Sequence, residues 1–336
     1  MRSSSVTAAM VVAALGFSCG EDAETGLAEV PTSMTEAQKH YAALVLAVYE
    51  DSVSDAQALK AAVDAFVASP TDETLADARE AWLNARESYL QSEVFRFYDG
   101  PIDNPDTGVE GQVNAWPMDE SYVDYVAGKD TAGLIIETAK TITAKELLSA
   151  NEAGGETNIA TGYHAVEFLL WGQDSSDTGP GARPASDYQD AGRANADRRR
   201  TYLTTVTDLL VADLTTVRDA WSATGENYRK GFEAAERGEA LRRILTGLTK
   251  LSGFETGGER LQTAYDSHDQ EDEHSCFSDN THRDMVQDVR GIQNVWLGKF
   301  TRNDGSLVSG MGISAVIAET DAAAAAAITT QLSTSL

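Results

Sequence analysis

From Pro184 to the terminal Leu336 the chain contains no proline, and over most of that length its apolar residues recur at helical spacing. Proline costs a helix interior about 3 kcal/mol, so a run of this length without one leaves few points where a helix must break. The pattern predicts one long helix over about 188–223 and another over about 226–266, breakable near Gly253 and Gly257-Gly258. Ahead of Pro184 the same period holds. Tyr41, Leu44, Val45, Val48 and Tyr49, then Leu59, Val63, Phe66 and Val67, mark helix from Thr35 to about Ser69. Pro70-Thr71-Asp72 ends it and caps the next, over about 72–98, and shorter helices are expected at 121–127 and 131–150. Ala322–Ala327 reads as a tail helix. No segment reads as strand, so the expected fold class is all-α, two helical bundles joined by long ordered connections, with no sheet. Residues 172–187, with Gly179-Pro180-Gly181 and Pro184, divide the chain into a first bundle at 34–172 and a second at 173–336.

The amino terminus is of another kind. Met1-Arg2, an apolar run from Val6 to Phe17 and then Cys19 form a secretory signal over 1–19, too short to span a bilayer as a mature anchor. Leu15-Gly16-Phe17-Ser18-Cys19 resembles a bacterial lipoprotein box, although Leu15 stands one residue too far from Cys19 and Phe17 is bulky for its place; it nominates Cys19 for lipidation. Residues 20–33 then form a disordered tether, and the alternative is ordinary secretion into the periplasm. The chain has 2 cysteines, so with Cys19 lipidated or removed Cys276 has no partner and the core must hold the exported protein without disulfides. A net charge of −27 argues against nucleic acid and anionic membrane surfaces as partners. Membrane contact is expected through the lipid anchor alone.

One short stretch carries the clearest chemistry. Gly162-x-His164-x-x-Glu167 is followed by Phe168, Leu169, Leu170 and Trp171, which sets an imidazole and a carboxylate at i, i+3 on one face of an apolar helix. Asn158 or Thr161 can cap its start and Gly172 its end. Buried without partners, these two groups would each cost about 1–3 kcal/mol or more. They either satisfy each other as a core pair or share a metal ion. On the 72–98 helix, Arg86 and Glu93 stand two turns apart among Trp82, Tyr89 and Phe97, as a buried ion pair or part of a site. Asp99–Ser121, with three prolines, three glycines and Trp116, reads as an ordered wrap. Three of the five histidines fall in Ser267–His282. There Glu271-x-x-His274 offers oxygen and nitrogen donors that suit iron, manganese or zinc; the EF-hand spacing is absent, and Ser278, Asp279 or Asn280 is placed to cap the following helix.

Several long motifs, in order, carry a family resemblance: Trp82–Asp103, Gly162–Glu167 with the residues to Asp174, Gly257–Arg260 and Gln270–His282. On these the chain resembles the imelysin family of exported bacterial proteins, most closely its iron-regulated protein A branch. The resemblance implies a duplicated helical-bundle architecture with the functional site near the interface of the halves, and its signature residues fall on His164 and Glu167. Members are associated with iron acquisition, while the founding ones were described as metallopeptidases. A zincin helix would need His-Glu-x-x-His; here Ala165 follows His164 and no histidine stands at i+4. A carboxypeptidase-like zinc site would need His274 as a distant third ligand and Glu93 or Glu271 as base. Metal binding without turnover requires fewer assumptions. The expectation is an envelope protein that binds iron through Glu93, His164 and Glu167, with Glu271, Glu273 and His274 as further candidates. Arg86 and Arg260 would balance charge or hold ligands in place. A zinc peptidase and a non-catalytic, partner-binding bundle, docking with an envelope iron-transport component, are the alternatives.

Overall fold

The computed structural model describes residues 29–336; the signal, Cys19 and most of the expected tether lie outside the described residues. Helix α1, Met34–Ala68, is one unbroken rod of about 52 Å. It buries Tyr41, Val45, Val48, Tyr49, Leu59, Val63 and Phe66 against α2, Asp72–Leu90, on one side and α4, Ala196–Ala220, on the other. Thr71 caps α2, accepting from the Thr74 amide at 3.2 Å, and Asp72 and Glu73 stand in its first turn, where the helix dipole favours acid. Helix α3, Gly162–Trp171, lies inside this frame with all ten residues buried, as expected of a helix that is apolar all round. The hydrophobic core is continuous across both halves, from Tyr49, Phe66 and Trp82 through Tyr163 and Phe168 to Tyr202, Trp221 and Trp296.

Elements that frame α3 follow in order. Helix α5, Arg237–Thr249, leads into a π-helical segment, Lys250–Gln262, and a short helix, Thr263–Ser267. Helix α6, Thr281–Leu297, packs against α2. Gly291 permits that contact, since a Cβ there would stand 2.5 Å from the Gln91 carbonyl oxygen. Strands β1, Lys299–Thr301, and β2, Leu307–Ser309, form an antiparallel hairpin before α7, Ala322–Ser335. Among the described residues no helix is long and apolar enough to cross a membrane.

The all-α expectation holds apart from that hairpin, too short to show an alternating pattern and closed by a turn in which Asp304 accepts from the Ser306 amide and Gly305 takes φ +82°. Several helices are shorter than their patterns. The expected 72–98 helix ends at Leu90, where Ser92 Oγ donates to the Tyr89 carbonyl and Gln91 Nε2 to the Glu87 carbonyl, in competition with the helical ladder. The expected 188–223 helix starts only at Ala196, after Asn195 at φ +64°. The 226–266 helix is broken at Ala235-Glu236 instead of at its glycines, which fall inside the π-helical segment. Of 121–127 and 131–150, Glu120–Val123 and Ala144–Ala150 are helical.

Candidate metal centre

Helix α3 is fixed before any polar group on it is considered. Gly162 has φ +86°, and a Cβ on it would stand 2.5 Å from the Val113 carbonyl oxygen, so the helix begins in contact with the 99–121 wrap. Its last carbonyls are taken by side chains: Arg79 donates to Leu170 O (Nη2 at 2.9 Å) and Tyr188 to Leu169 O at 2.5 Å. Trp82 Nε1 donates to Tyr163 O at 2.9 Å. Thr161 occupies the N-cap position without a capping bond, and Asn158 bonds to Ala153 O instead.

This helix holds His164 and Glu167 fully buried, with His164 Nδ1 and Glu167 Oε2 2.9 Å apart. The other carboxyl oxygen, Oε1, accepts from Ser278 Oγ at 2.6 Å and from the Ser278 amide at 3.0 Å. Burial above all pushes the Glu167 carboxyl up to about 8, against the Ser278 bonds and the Arg86 charge. Burial, then the neighbouring His274 and Arg86, holds the His164 imidazole well below its ordinary range. The imidazole is therefore neutral at physiological pH. Its Nε2 is buried and makes no hydrogen bond among the described residues.

A second pair of the same kind faces the first. The His274 ring centroid lies 4.9 Å from that of His164, the planes at 71°, and Trp116 lies 4.7 Å from His164. His274 Nδ1 is 2.8 Å from Asp284 Oδ2, which also accepts from Ser275 Oγ at 2.5 Å and Arg86 Nη2 at 3.0 Å, while Oδ1 accepts from Asn280 at 3.2 Å. Burial, followed by the Arg260 charge, pushes the His274 imidazole down to about 4 despite its bond to Asp284. Its Nε2 makes no hydrogen bond among the described residues, and its side chain lines a cavity of about 340 Å³. Burial would raise the Asp284 carboxyl, but Arg86 and the bonds from His274 and Ser275 hold it below the usual carboxylate range. Arg86 is itself fully buried, donates to Asn114 Oδ1 at 2.5 Å and lies over the rings of Tyr163, Trp82 and Tyr89.

Glu93 stands apart from this group. Because α2 ends at Leu90, Glu93 sits in a short 3-10 turn and does not share a helical face with Arg86. That expected pairing is corrected here: Arg86 pairs with Asp284, and Glu93 Oε2 accepts from Arg96 and from Arg260, each at 2.6 Å. Arg260 reaches Asp288 Oδ2 at 2.7 Å with its other nitrogen, and Thr256 donates to the same oxygen at 2.9 Å. Glu271 lies outside, pushed up to about 7 by partial burial and by Glu120, and Glu273 lines a separate cleft with Asp177 and His268. The residues that the sequence leaves unmarked are Ser275, Asn114, Asp284 and Asp288. Asp284 and Asp288 are carboxylates four apart on the buried face of an amphipathic helix, which is a legible signal.

Among the described residues no three His, Cys, Asp or Glu side chains converge as a metal cage. The donors that fit an ion are the two Nε2 atoms, each on a neutral ring braced at Nδ1 by a carboxyl group. A carboxylate at Nδ1 is the arrangement in which an outer group orients a ligating histidine, and Glu167 and Asp284 stand at that position on the two rings. Two rings handing Nε2 to one ion at about 2.1 Å, at angles between octahedral and tetrahedral, have centroids about 4.6–5.3 Å apart; the observed separation is 4.9 Å.

Comparison with known proteins agrees with this architecture. The Imelysin family model (Peptidase_M75) matches residues 45–336. Over 128 residues the chain is 28% identical to iron-regulated protein A of Synechococcus elongatus, a match spanning 38% of this chain and 29% of that relative. Among solved structures, a protein described as an iron-regulated protein A precursor from Parabacteroides distasonis superposes with a TM-score of 0.64 at 19% identity, covering 91% of this chain and 85% of that one. An imelysin-like protein from Psychrobacter arcticum gives 0.53 at 16% identity, over 89% and 85%. The structural likenesses speak for the fold, and the family match over most of its length identifies the chain as a member of the imelysin family.

Proposed function

We propose that the protein is an exported, iron-binding protein of the cell envelope, acting in iron acquisition and carrying its ion between His164 and His274. The observation that carries this reading is the buried, unpartnered Nε2 of a neutral His164 facing a second neutral imidazole. An unmet buried acceptor or donor costs about 1–3 kcal/mol, and a metal ion answers both nitrogens at once. Imidazole suits iron among the first-row metals, and the relatives that bear the name iron-regulated protein A favour iron as cargo. Export rests on the amino-terminal sequence and the relative described as a precursor; anchoring through Cys19, and an envelope iron-transport component as partner, belong to the same proposal.

The hydrolytic alternative is less well supported. Glu93, a candidate base, has one oxygen shared by two guanidinium groups, and Glu271 stands against Glu120. An anaerobic Fe(II) titration, with Zn(II) and Mn(II) in parallel, tests the proposal on the wild type, His164→Ala and His274→Ala at matched helicity. One saturable Fe(II) site, lost in both variants, is expected. Undiminished binding in His164→Ala, or no saturable binding in the wild type, overturns it, and a strong zinc preference with proteolysis of an unfolded protein would reinstate the peptidase.

A further inference from the structure

The cavity in front of His274 is strongly acidic, and its charges are not equally engaged. Glu110, Glu152, Glu255, Glu259 and Asp272 line it, with Arg96 and Arg260 as its cationic groups. Both guanidiniums are already committed. Arg96 holds Glu93 and, at 2.9 Å, Glu110; Arg260 holds Glu93, Asp288 and, at 3.1 Å, Glu255. Glu152, Glu259 and Asp272 make no ion pair among the described residues, so the cavity keeps a negative field. A second feature of the same cavity points to a ligand. His274 is 2% exposed and lines the cavity, and beyond the bond of its Nδ1 to Asp284 its ring makes no hydrogen bond among the described residues. The His164 ring centroid lies 4.9 Å from that of His274.

We propose that this cavity is an outer station for a hydrated divalent cation, which its carboxylates collect and pass to the histidine pair. The inference rests on the reading of His164 and His274 as the metal seat and adds the route by which the ion arrives. Carboxylate oxygens take hard, hydrated cations with little discrimination, whereas imidazole nitrogen selects iron, zinc, copper and nickel. The outer station concentrates ions of the right charge, and the inner pair chooses among them. Clefts of one sign with low-dielectric walls raise association rates in this way.

The test is anaerobic stopped-flow mixing of Fe(II) with the full protein, read as quenching of tryptophan fluorescence, because Trp116 lies 4.7 Å from His164. The variant Glu152→Gln/Glu259→Gln/Asp272→Asn changes two exposed side chains and one half-buried one, none of them in an ion pair among the described residues. Its loading rate at low ionic strength is expected to fall about tenfold, with a flatter salt dependence and an unchanged dissociation rate and stoichiometry. Wild-type loading rate and salt dependence in this variant would overturn the outer station. His164→Ala separates the two failures. If it abolishes the quench while the triple variant loads normally, the outer station alone falls; if it quenches like the wild type, the seat and the station fall together.

Discussion

Arg86 offers the sharpest test of how the buried cluster is held. Its guanidinium is fully buried and bridges three regions of the chain: α2, which carries it, Asn114 in the wrap, and Asp284 on α6 at 3.0 Å. Arg86→Met keeps most of the aliphatic bulk over Tyr163 and Trp82 and removes the charge. Asp284 would retain Ser275, Asn280 and His274 as partners, but its buried negative charge would lose its cation. Breaking a buried ion pair from one side costs about 3–5 kcal/mol, a large share of the roughly 5–15 kcal/mol by which folded domains are stable. Neutralising the orphan should recover part of this. Arg86→Met/Asp284→Asn should therefore lose about 1–3 kcal/mol less than the sum of the single variants. Urea unfolding followed by far-UV circular dichroism, with slopes compared across the cycle, gives both numbers. The single variant should also move His274: Arg86 is one of the charges that depress its imidazole to about 4, so its NMR titration should shift upward. A loss below about 1 kcal/mol for Arg86→Met, or strict additivity in the double variant, would refute a coupled buried pair.

Asp213 gives the pH prediction. Burial pushes its carboxyl from 3.8 up to about 6, and its Oδ2 has no hydrogen-bond partner among the described residues. A raised folded-state value favours folding fully below the unfolded value and loses that contribution as pH rises through the folded one; Asp213→Asn should thus be more stable than the wild type by about 1 kcal/mol at neutral pH, after discounting for solvent screening, with the gain vanishing in acid. An equal gain at both pH values in urea titrations would contradict this. Gly162→Ala should cost about 2–4 kcal/mol, since it combines a positive φ with a backbone clash at Val113; a shift in unfolding midpoint worth under about 1 kcal/mol would mean that the wrap yields freely. His164→Leu/Glu167→Met/Ser278→Ala replaces a buried polar trio by apolar groups and should be neutral or up to about 4 kcal/mol more stable while binding no Fe(II). A large loss of stability would make the trio a structural requirement.

Much of the scaffold was legible because helical periodicity and capping are local. The Pro70-Thr71-Asp72 signal falls at the observed start of α2, and the apolar surround of Gly162-x-His164-x-x-Glu167 marked a helix that proves buried on every side. Helix ends were less so. Leu90 ends α2 because Ser92 and Gln91 turn back onto backbone carbonyls, a competition that the apolar pattern of 72–98 does not register. That local error had a consequence at the site: reading Glu93 as a continuation of the Arg86 face put it beside the wrong partner. His274 was visible as a candidate, but its orienting carboxylate was not, since Asp284 reaches it only after the 275–280 turn folds back. Of the three cap candidates Ser278, Asp279 and Asn280, Asn280 takes the N-cap position of α6 without a side-chain capping bond, while Ser278 serves Glu167, 111 residues away in sequence.

In the proposed metal seat, burial of the two histidines is an advantage. An exposed imidazole near neutral pH is partly protonated and must lose a proton before it can hold an ion. Burial removes that competition for both rings, while the carboxyl groups at Nδ1 keep them from turning to satisfy Nε2 elsewhere. Each half of the chain supplies one such ring, His164 from α3 and His274 from the turn before α6, and Arg86 ties the frame by reaching across from α2. A pair divided in this way is assembled only when α3 and the turn before α6 are packed together in the folded chain. The 4.9 Å between its ring centroids is set by the packing of α2 against α6 and of α3 within the frame, not by any local motif. Changes at the Gly291–Gln91 contact, remote from either ring, should therefore act on the geometry of the pair as directly as changes beside it.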